Sequence, residues 1–448
     1  MRSFTKARRS SAPHGLRAPL SNLKKRFLIK TLGCKVNQYE SSALGEALEG
    51  RGFEVVPGEG EAEVVVVNTC TVTHRSERDA RQMIRRVRRE HPGAYVVATG
   101  CYAQISGDKA LEAGADLVAG TAWKAKLADL VAKEQRGVLV TDDFSPLLAP
   151  EIVTGLRGRT RGFLKVQDGC EAFCNYCIIP HARGPSRSLP PEEVRAGLAR
   201  MLEAGHREVV LTGIHIGRWG RDLPNPLGFT DLLSIAEESG LPRVRISSLE
   251  PLETTEEVVD MVAASKVLCP HLHIPLQSGS DEILKGMGRP YGVSQFRDRV
   301  EYALARIPGL CLGFDIITGF PGERPMHFEE TLALLHSLDF AYLHVFPYSR
   351  RKGTPAANMP AQVPDAVKRE RAAVLRKLSA DRNMAFHEAR IGKTIPALAE
   401  GRVTDGALRL RARDYTEVYV NWEVDGAPVD EVPVTPTHIE GHKLWAKL

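Results

Sequence analysis

The run Cys170-Glu171-Ala172-Phe173-Cys174-Asn175-Tyr176-Cys177 decides how this chain is read. Its CxxxCxxC spacing brings three soft thiolate ligands close together, and the apolar, extended segment Phe163-Leu164-Lys165-Val166 leads into it. On a cluster of four irons, three cysteines leave one iron with an open position, much as a catalytic zinc keeps one position open for substrate. A structural zinc site completed by His181, four residues on, satisfies the same run. Local spacing leaves both open.

Downstream of this run, β-type segments recur at Val209 to Leu211, Val244 to Ile246, Leu272 to Leu276, Leu312 to Ile317 and Tyr342 to Phe346, separated by helix-like stretches such as Pro191 to Ala204 and Thr254 to Ser265. With Phe163 to Val166 they make six βα units, which predicts an open, partial TIM-like barrel with the three cysteines in its first working loop. The other strand ends carry Thr212-Gly213, Ser247-Ser248-Leu249-Glu250, Gln277-Ser278-Gly279 and Gly319-Phe320-Pro321-Gly322-Glu323. Hydroxyl, amide and carboxylate groups on one rim can bind ribose and amino-acid groups, and glycine permits close backbone approach. Each of these signals taken alone is also ordinary turn chemistry.

Upstream, a β-type run ending at a cysteine and followed by a helical stretch occurs three times: Phe27 to Leu32 before Cys34, Val64 to Val67 before Cys70, and Tyr95 to Ala98 before Cys101. Alternating strands and helices predict a doubly wound parallel sheet, and ligands of such sheets sit beyond the carboxyl ends of the strands. The three cysteines then converge on one edge as a second ligand set; singly, each would read as a small buried hydrophobe. Residues 75–90 hold seven arginines and three acids on a helix with the apolar stripe Met83, Ile84 and Val87, readable as an RNA contact or as a solvated face.

The division that follows is a basic arm at 1–24, a cluster domain at 25–137, a linker at 138–155, a core at 156–386 and a small all-β barrel of OB type at 387–448. The core ends in an amphipathic helix over 365–390, with Val367, Val374, Leu375 and Leu378 as its stripe. In the last domain Arg409, Arg411 and Arg413 alternate with Leu408, Leu410 and Ala412, so a strand places the arginines on one face, for RNA or for solvent. Arg350, Arg351 and Lys352, just past the sixth strand, are candidate phosphate contacts on the rim.

Composition sets the class. Hydrophobic residues make up 43% of the 448 and charged residues 26%, ordinary values for a globular protein, and no apolar run is long enough to span a membrane. Eight of the 60 Lys and Arg lie in residues 1–26, which hold no acid, leaving 52 against 55 acids in the remainder. The body is therefore not globally basic, and RNA contact must come from local patches. Eight cysteines without a secretory leader point to metal or redox chemistry in a cytoplasmic protein, with Cys269 and Cys311 as packing residues.

Together these residues resemble the methylthiotransferases, radical S-adenosylmethionine enzymes built from an N-terminal cluster domain, a radical core and a C-terminal TRAM domain; the resemblance covers 27–448. Thr31-Leu32-Gly33-Cys34-Lys35-Val36-Asn37-Gln38-Tyr39-Glu40-Ser41 looks most like the branch acting on threonylcarbamoyladenosine in tRNA, and Cys177-Ile178-Ile179-Pro180, Ala182-Arg183-Gly184, Leu211 to Gly217 and Tyr348-Ser349 are similar to it too. His181 departs from the tyrosine common there.

The resemblance implies methylthiolation of carbon 2 of the modified adenosine at tRNA position 37, with two 4Fe-4S clusters and S-adenosylmethionine as cofactors. Cys170, Cys174 and Cys177 would hold the radical-generating cluster, and Cys34, Cys70 and Cys101 an auxiliary cluster that supplies sulfur. It further implies Tyr176, Gly213, Ser247, Glu250, Gln277 and Phe320 as S-adenosylmethionine contacts, the tRNA anticodon stem-loop as partner, and a flavodoxin- or ferredoxin-type electron donor. The rivals are the same chemistry on isopentenyladenosine or a ribosomal protein, and a non-catalytic zinc-stabilised RNA-binding protein.

Overall fold

The computed structural model describes residues 25–56, 60–144, 160–402, 406–422 and 430–448. The basic arm at 1–24 and most of the proposed linker, from residue 145 on, lie outside the described residues.

The first unit is a six-stranded sheet in the order β2-β1-β3-β4-β5-β6, every neighbouring pair parallel: β1 (Arg26–Thr31), β2 (Glu54–Val55), β3 (Val64–Thr69), β4 (Tyr95–Gly100), β5 (Leu117–Ala119) and β6 (Gly137–Leu139). The central strands are buried along their whole length because helices cover both faces, which is why Val64 to Val67 reads as a continuous apolar run instead of an alternating one. Helices α1 (Lys35–Glu49), α2 (His74–Glu90) and α3 (Cys101–Ile105) each begin within five residues of a strand's carboxyl end. Thr73 caps α2, its side chain accepting the Ser76 N–H at 3.1 Å, and Ala80, Ile84 and Val87 bury the helix's narrow apolar stripe.

The second unit is a partial barrel. β7 (Arg161–Lys165) is followed by a two-residue hairpin, β8 (Gln167–Asp168) with β9 (Arg187–Ser188), that frames the cysteine loop. β10 (Glu208–Thr212) and β11 (Arg243–Ile246) complete one three-stranded parallel sheet with β7; β12 (His271–Gln277), β13 (Cys311–Thr318) and β14 (Tyr342–Pro347) form the other. The Leu249 N–H donates to His273 O at 2.9 Å across the seam, so the six strands form one arc. Its open edge, β7, is covered by α1, whose Tyr39 enters the barrel's own apolar core beside Leu164. The helix Asp365–Glu388 packs on β14, but its buried face holds Lys368, Arg371, Ala372 and Leu375; Val374, read from the sequence as part of the stripe, is 43% exposed.

The last unit is a closed five-stranded barrel, β15 (Ile395–Arg402), β16 (Ala407–Ala412), β17 (Glu417–Asn421), β18 (Val432–Glu440) and β19 (Lys443–Lys447), in the order β15-β16-β17-β19-β18. Leu408, Leu410 and Ala412 fill its interior, so the alternation of β16 does turn the arginines outward. That outward face is divided: Arg409 is 40% exposed beside Glu400, Arg411 is held within its own barrel, and Arg413 reaches the half-barrel, so the stripe is not the one continuous face for solvent or RNA that the sequence predicts. Arg411 pairs with Glu400 and Glu417, and Arg413 donates to Pro242 O at 3.1 Å and approaches Glu431.

The partner surface is the amino-terminal end of the half-barrel. There Glu208, fully buried, accepts from Arg245 at 2.9 Å through both oxygens, while Arg243 and Arg245 donate to the carbonyls of Pro396, Arg411 and Arg413. The all-β barrel is thus docked at the end of the strands opposite the cysteine loop. Among the described residues no helix is long and apolar enough to cross a membrane.

Candidate functional site

The adjacent strands β1, β3 and β4 end at Thr31, Thr69 and Gly100, and Cys34, Cys70 and Cys101 follow them at one edge. Two glycines permit the close packing. Gly33 (φ 98°) would place a Cβ 2.9 Å from Cys70 Cβ, and Gly100 (φ 94°) would place one 2.4 Å from Thr69 O. Asn37 and Asn68 stitch the loops together, Asn37 donating to Leu32 O and Thr69 O, and Asn68 to Asn37 O.

The second triad lies on the loop after β8, facing the first across a five-residue helix, Ile179–Arg183. Cys174 is buried and Phe173 beside it is 59% exposed with φ 44°, a left-handed conformation that a phenylalanine adopts only under constraint. His181 packs edge-on to Phe173. Among the described residues the group of His, Cys, Asp and Glu ligand atoms lying within 4.8 Å of one another is His273, Asp315 and His344; neither cysteine triad, nor the set completed by His181, closes that far.

Each triad also has a sulfur that accepts an N–H from a buried arginine, as an anionic thiolate cluster requires: Cys101 Sγ from Arg183 Nε at 3.2 Å and Cys174 Sγ from Arg289 Nη1 at 3.3 Å. His215 Nδ1 lies 3.5 Å from Cys170 Sγ, and its Nε2 lies 2.8 Å from Glu253 Oε1. Burial disfavours the His215 cation, yet Cys170 and Glu253 together push its pKa up to about 9. Burial pushes the thiols of Cys101 and Cys177 up to about 11 and about 12, so these sulfurs ionise only with strong cationic help such as a metal cluster provides.

Between the triads lies a cavity of about 230 Å³, walled by Val72 and Thr73 from the first unit and by Tyr176, Cys177, Gln277, Asp315, Phe346 and Tyr348 from the second. Gln277 reaches the wall through a bulge after Pro275 and a φ of 68°. The Tyr348 hydroxyl is buried without a partner, and so is Ser247 Oγ at the end of β11, two polar atoms left for a bound molecule to satisfy.

The remaining residues singled out from the sequence fall at different depths. Gly213 lets Gln167 Oε1 accept the N–H groups of Ile214 and His215, since a Cβ there would stand 2.9 Å from that oxygen. Glu250 pairs with Arg289 and so reaches the Cys174 side. Phe320 is 1% exposed and packs behind Tyr348, away from the cavity wall. Arg351, read as a phosphate contact, is instead a buried tie between units: it pairs with Glu77 and donates to Thr71 Oγ1 at 2.9 Å, while Arg350 and Lys352 stay exposed. Arg183, Arg289 and His215 were not singled out from the sequence as site residues, because nothing in their local pattern tells which arginine or histidine will face a sulfur.

Comparisons with known proteins agree with this geometry. A model described as uncharacterized protein family UPF0004 matches residues 26–120, and the radical SAM superfamily model matches 164–335. The chain is 38% identical over 409 residues to the threonylcarbamoyladenosine tRNA methylthiotransferase MtaB of Thermotoga maritima, covering 90% of this chain and 92% of that protein. It is 33% identical over 426 residues to the tRNA-2-methylthio-N(6)-dimethylallyladenosine synthase of Pelotomaculum thermopropionicum, covering 92% and 95%. In fold it is similar to the radical S-adenosylmethionine methyltransferase TsrM of Kitasatospora setae, solved with cobalamin and a [4Fe-4S] cluster (TM-score 0.56, 18% identity, 75% of this chain and 77% of that chain).

Proposed function

Because the chain belongs to the tRNA methylthiotransferase family of radical S-adenosylmethionine enzymes, we propose that it methylthiolates carbon 2 of N6-threonylcarbamoyladenosine at tRNA position 37. The observation that carries this reading is the single cavity reached by both cysteine loops. Val72 and Thr73 lie two and three residues past Cys70, and Cys177 itself lines the opposite wall. A space of about 230 Å³ excludes a stem, so a base that reaches it must be splayed from its loop.

In this reading Cys170, Cys174 and Cys177 hold one 4Fe-4S cluster and Cys34, Cys70 and Cys101 a second. When bound, the first cluster with S-adenosylmethionine supplies carbon–hydrogen activation and the second supplies sulfur. The chain's own residues do the rest. Tyr176, Gly213, Ser247, Glu250 and Gln277 shape the cofactor's seat, with Phe320 as the packing beneath it. Arg289 holds Glu250 and Cys174 in fixed relation, and the Asp315 carboxylate accepts hydrogen bonds at the cavity wall. A flavodoxin- or ferredoxin-type protein delivers the electron.

The test is mass spectrometry of nucleosides from tRNA of cells lacking the gene and of the same cells carrying it back. Loss and restoration of 2-methylthio-N6-threonylcarbamoyladenosine is expected. If that nucleoside is unchanged while the methylthio-isopentenyl product disappears, the chemistry stands and the substrate is wrong. Separately, Cys174→Ala should abolish reductive cleavage of S-adenosylmethionine while leaving iron at the first triad; persistent cleavage would overturn the assignment of that cysteine.

A further inference from the structure

The helix Ile179–Arg183 starts two residues after Cys177 and ends on a guanidinium with no exposed surface. Arg183 Nε donates to Cys101 Sγ at 3.2 Å; Nη1 donates to Glu40 Oε1 at 2.7 Å and to Asp168 Oδ1 at 3.1 Å; Nη2 donates to Asn37 Oδ1 at 2.8 Å. The next residue is bonded to the other triad, for Gly184 O accepts the Cys170 N–H at 3.0 Å. Thr121 Oγ1 donates to Ala182 O at 2.5 Å, so both units hold the helix. Lys165 bonds Glu40 at 2.9 Å and Asp168 at 3.0 Å, and Lys124 pairs with Glu40.

We propose that Arg183 is a positioning residue that ties the two cysteine sites together and raises the reduction potential of the cluster held by Cys34, Cys70 and Cys101. The proposal rests on the reading that those three cysteines hold a cluster. Its basis is electrostatic. Reduction adds negative charge, and both a fixed cation and an N–H···S bond favour the more negative state. The guanidinium is cut off from water, so its field is little screened. Glu40 lies against the same guanidinium with the opposite charge and lowers the potential it raises.

The experiment is a potentiometric EPR titration of the anaerobically reconstituted full chain, comparing wild type with Arg183→Gln, Arg183→Lys and Glu40→Gln, each with iron and sulfide measured. Arg183→Gln should move the first-triad transition to a more negative potential, Arg183→Lys should move it less in the same direction, and Glu40→Gln should move it to a more positive one. The transition of the Cys170 site should shift less in every variant. If Arg183→Gln retains full iron and sulfide and titrates at the wild-type potential, the proposal is overturned. If that variant loses the cluster, Arg183→Lys and Glu40→Gln decide, and two unmoved potentials would overturn it equally. A wild-type chain with one cluster transition overturns the two-cluster reading itself, a failure distinguishable from an unmoved potential.

Discussion

At the scale of single residues the site depends on positions where no side chain fits. Gly100 stands immediately before Cys101 with φ 94°, and the nearest atom to an added Cβ is the carbonyl oxygen of Thr69, a backbone atom of the central strand that cannot rotate away. Gly100→Ala should therefore cost about 3 kcal/mol, from backbone strain and overpacking together, and should lower iron uptake at the first triad. Gly52, with φ 85° and open space around it, is the control: Gly52→Ala carries only the backbone term, about 1 kcal/mol. Urea midpoints of the two variants check the difference. Equal losses would show that the contact with Thr69 O contributes nothing. The placement of the six cysteines just past strand ends was legible in the sequence because each follows an apolar β-type run. Their arginine and histidine neighbours were not, since a contact between Arg183 and Cys101 joins residues 82 positions apart.

At the scale of elements, two segments serve neighbours as well as themselves. Helix α1 buries Leu44 and Leu48 against its own sheet and Tyr39 against the half-barrel, so Cys34 at its start is oriented by both units. Strand β16 closes its barrel through leucines and docks it through carbonyls at and just past its end, Arg411 O and Arg413 O, which accept from Arg243 and Arg245 of β11. Glu208 is the acid at the centre of that contact. Burial alone would raise its pKa, but Arg245, with Arg161 and Arg243, holds it down to about 2 from the ordinary 4.5.

Because the folded value lies below the unfolded one, the stabilisation from Glu208 is in place above about pH 4.5 and is lost as the pH falls toward 2, amounting to roughly 3 kcal/mol over the whole range. Between about pH 5 and about pH 3 the urea midpoint of wild type should fall more than that of Glu208→Gln. At neutral pH the variant should be less stable by roughly 3 to 5 kcal/mol, because it leaves the buried Arg245 without its carboxylate. Parallel pH profiles for the two chains would refute this.

At the scale of the whole molecule the three units are stacked along the half-barrel. The six-stranded sheet lies at its carboxyl end, the cysteine loops and their cavity lie between, and the all-β barrel sits at the amino-terminal end. Helix α2 leaves the cavity at Thr73 and runs about 25 Å across the surface, with Arg75, Arg78, Arg85, Arg86 and Arg89 exposed along it. Those exposed arginines beside the cavity mouth offer a surface for nucleic-acid phosphates. Changing Arg78, Arg85 and Arg89 to glutamine should weaken stem-loop binding and reduce the slope of log K against log salt by about 2 to 3, one phosphate contact per arginine. An unchanged slope would assign the helix face to solvent.

By itself the sequence determined what is local: the βα alternation of the first two units, the turn of β16 that faces its arginines away from its leucines, and the two sets of three cysteines at strand ends. These follow from periods of two and of 3.6 residues and from ligand chemistry, both of which act over a few neighbours. Only the tertiary structure decided what each exposed-looking charge meets. It turned Arg351 and Arg413 from candidate RNA contacts into ties between units, left Val374 in solvent while Lys368 and Arg371 went inside, and placed Arg183 and Arg289 on sulfurs. The physical reason is that a charge is buried only where another unit supplies its partner. No pattern along one segment records which distant segment that will be.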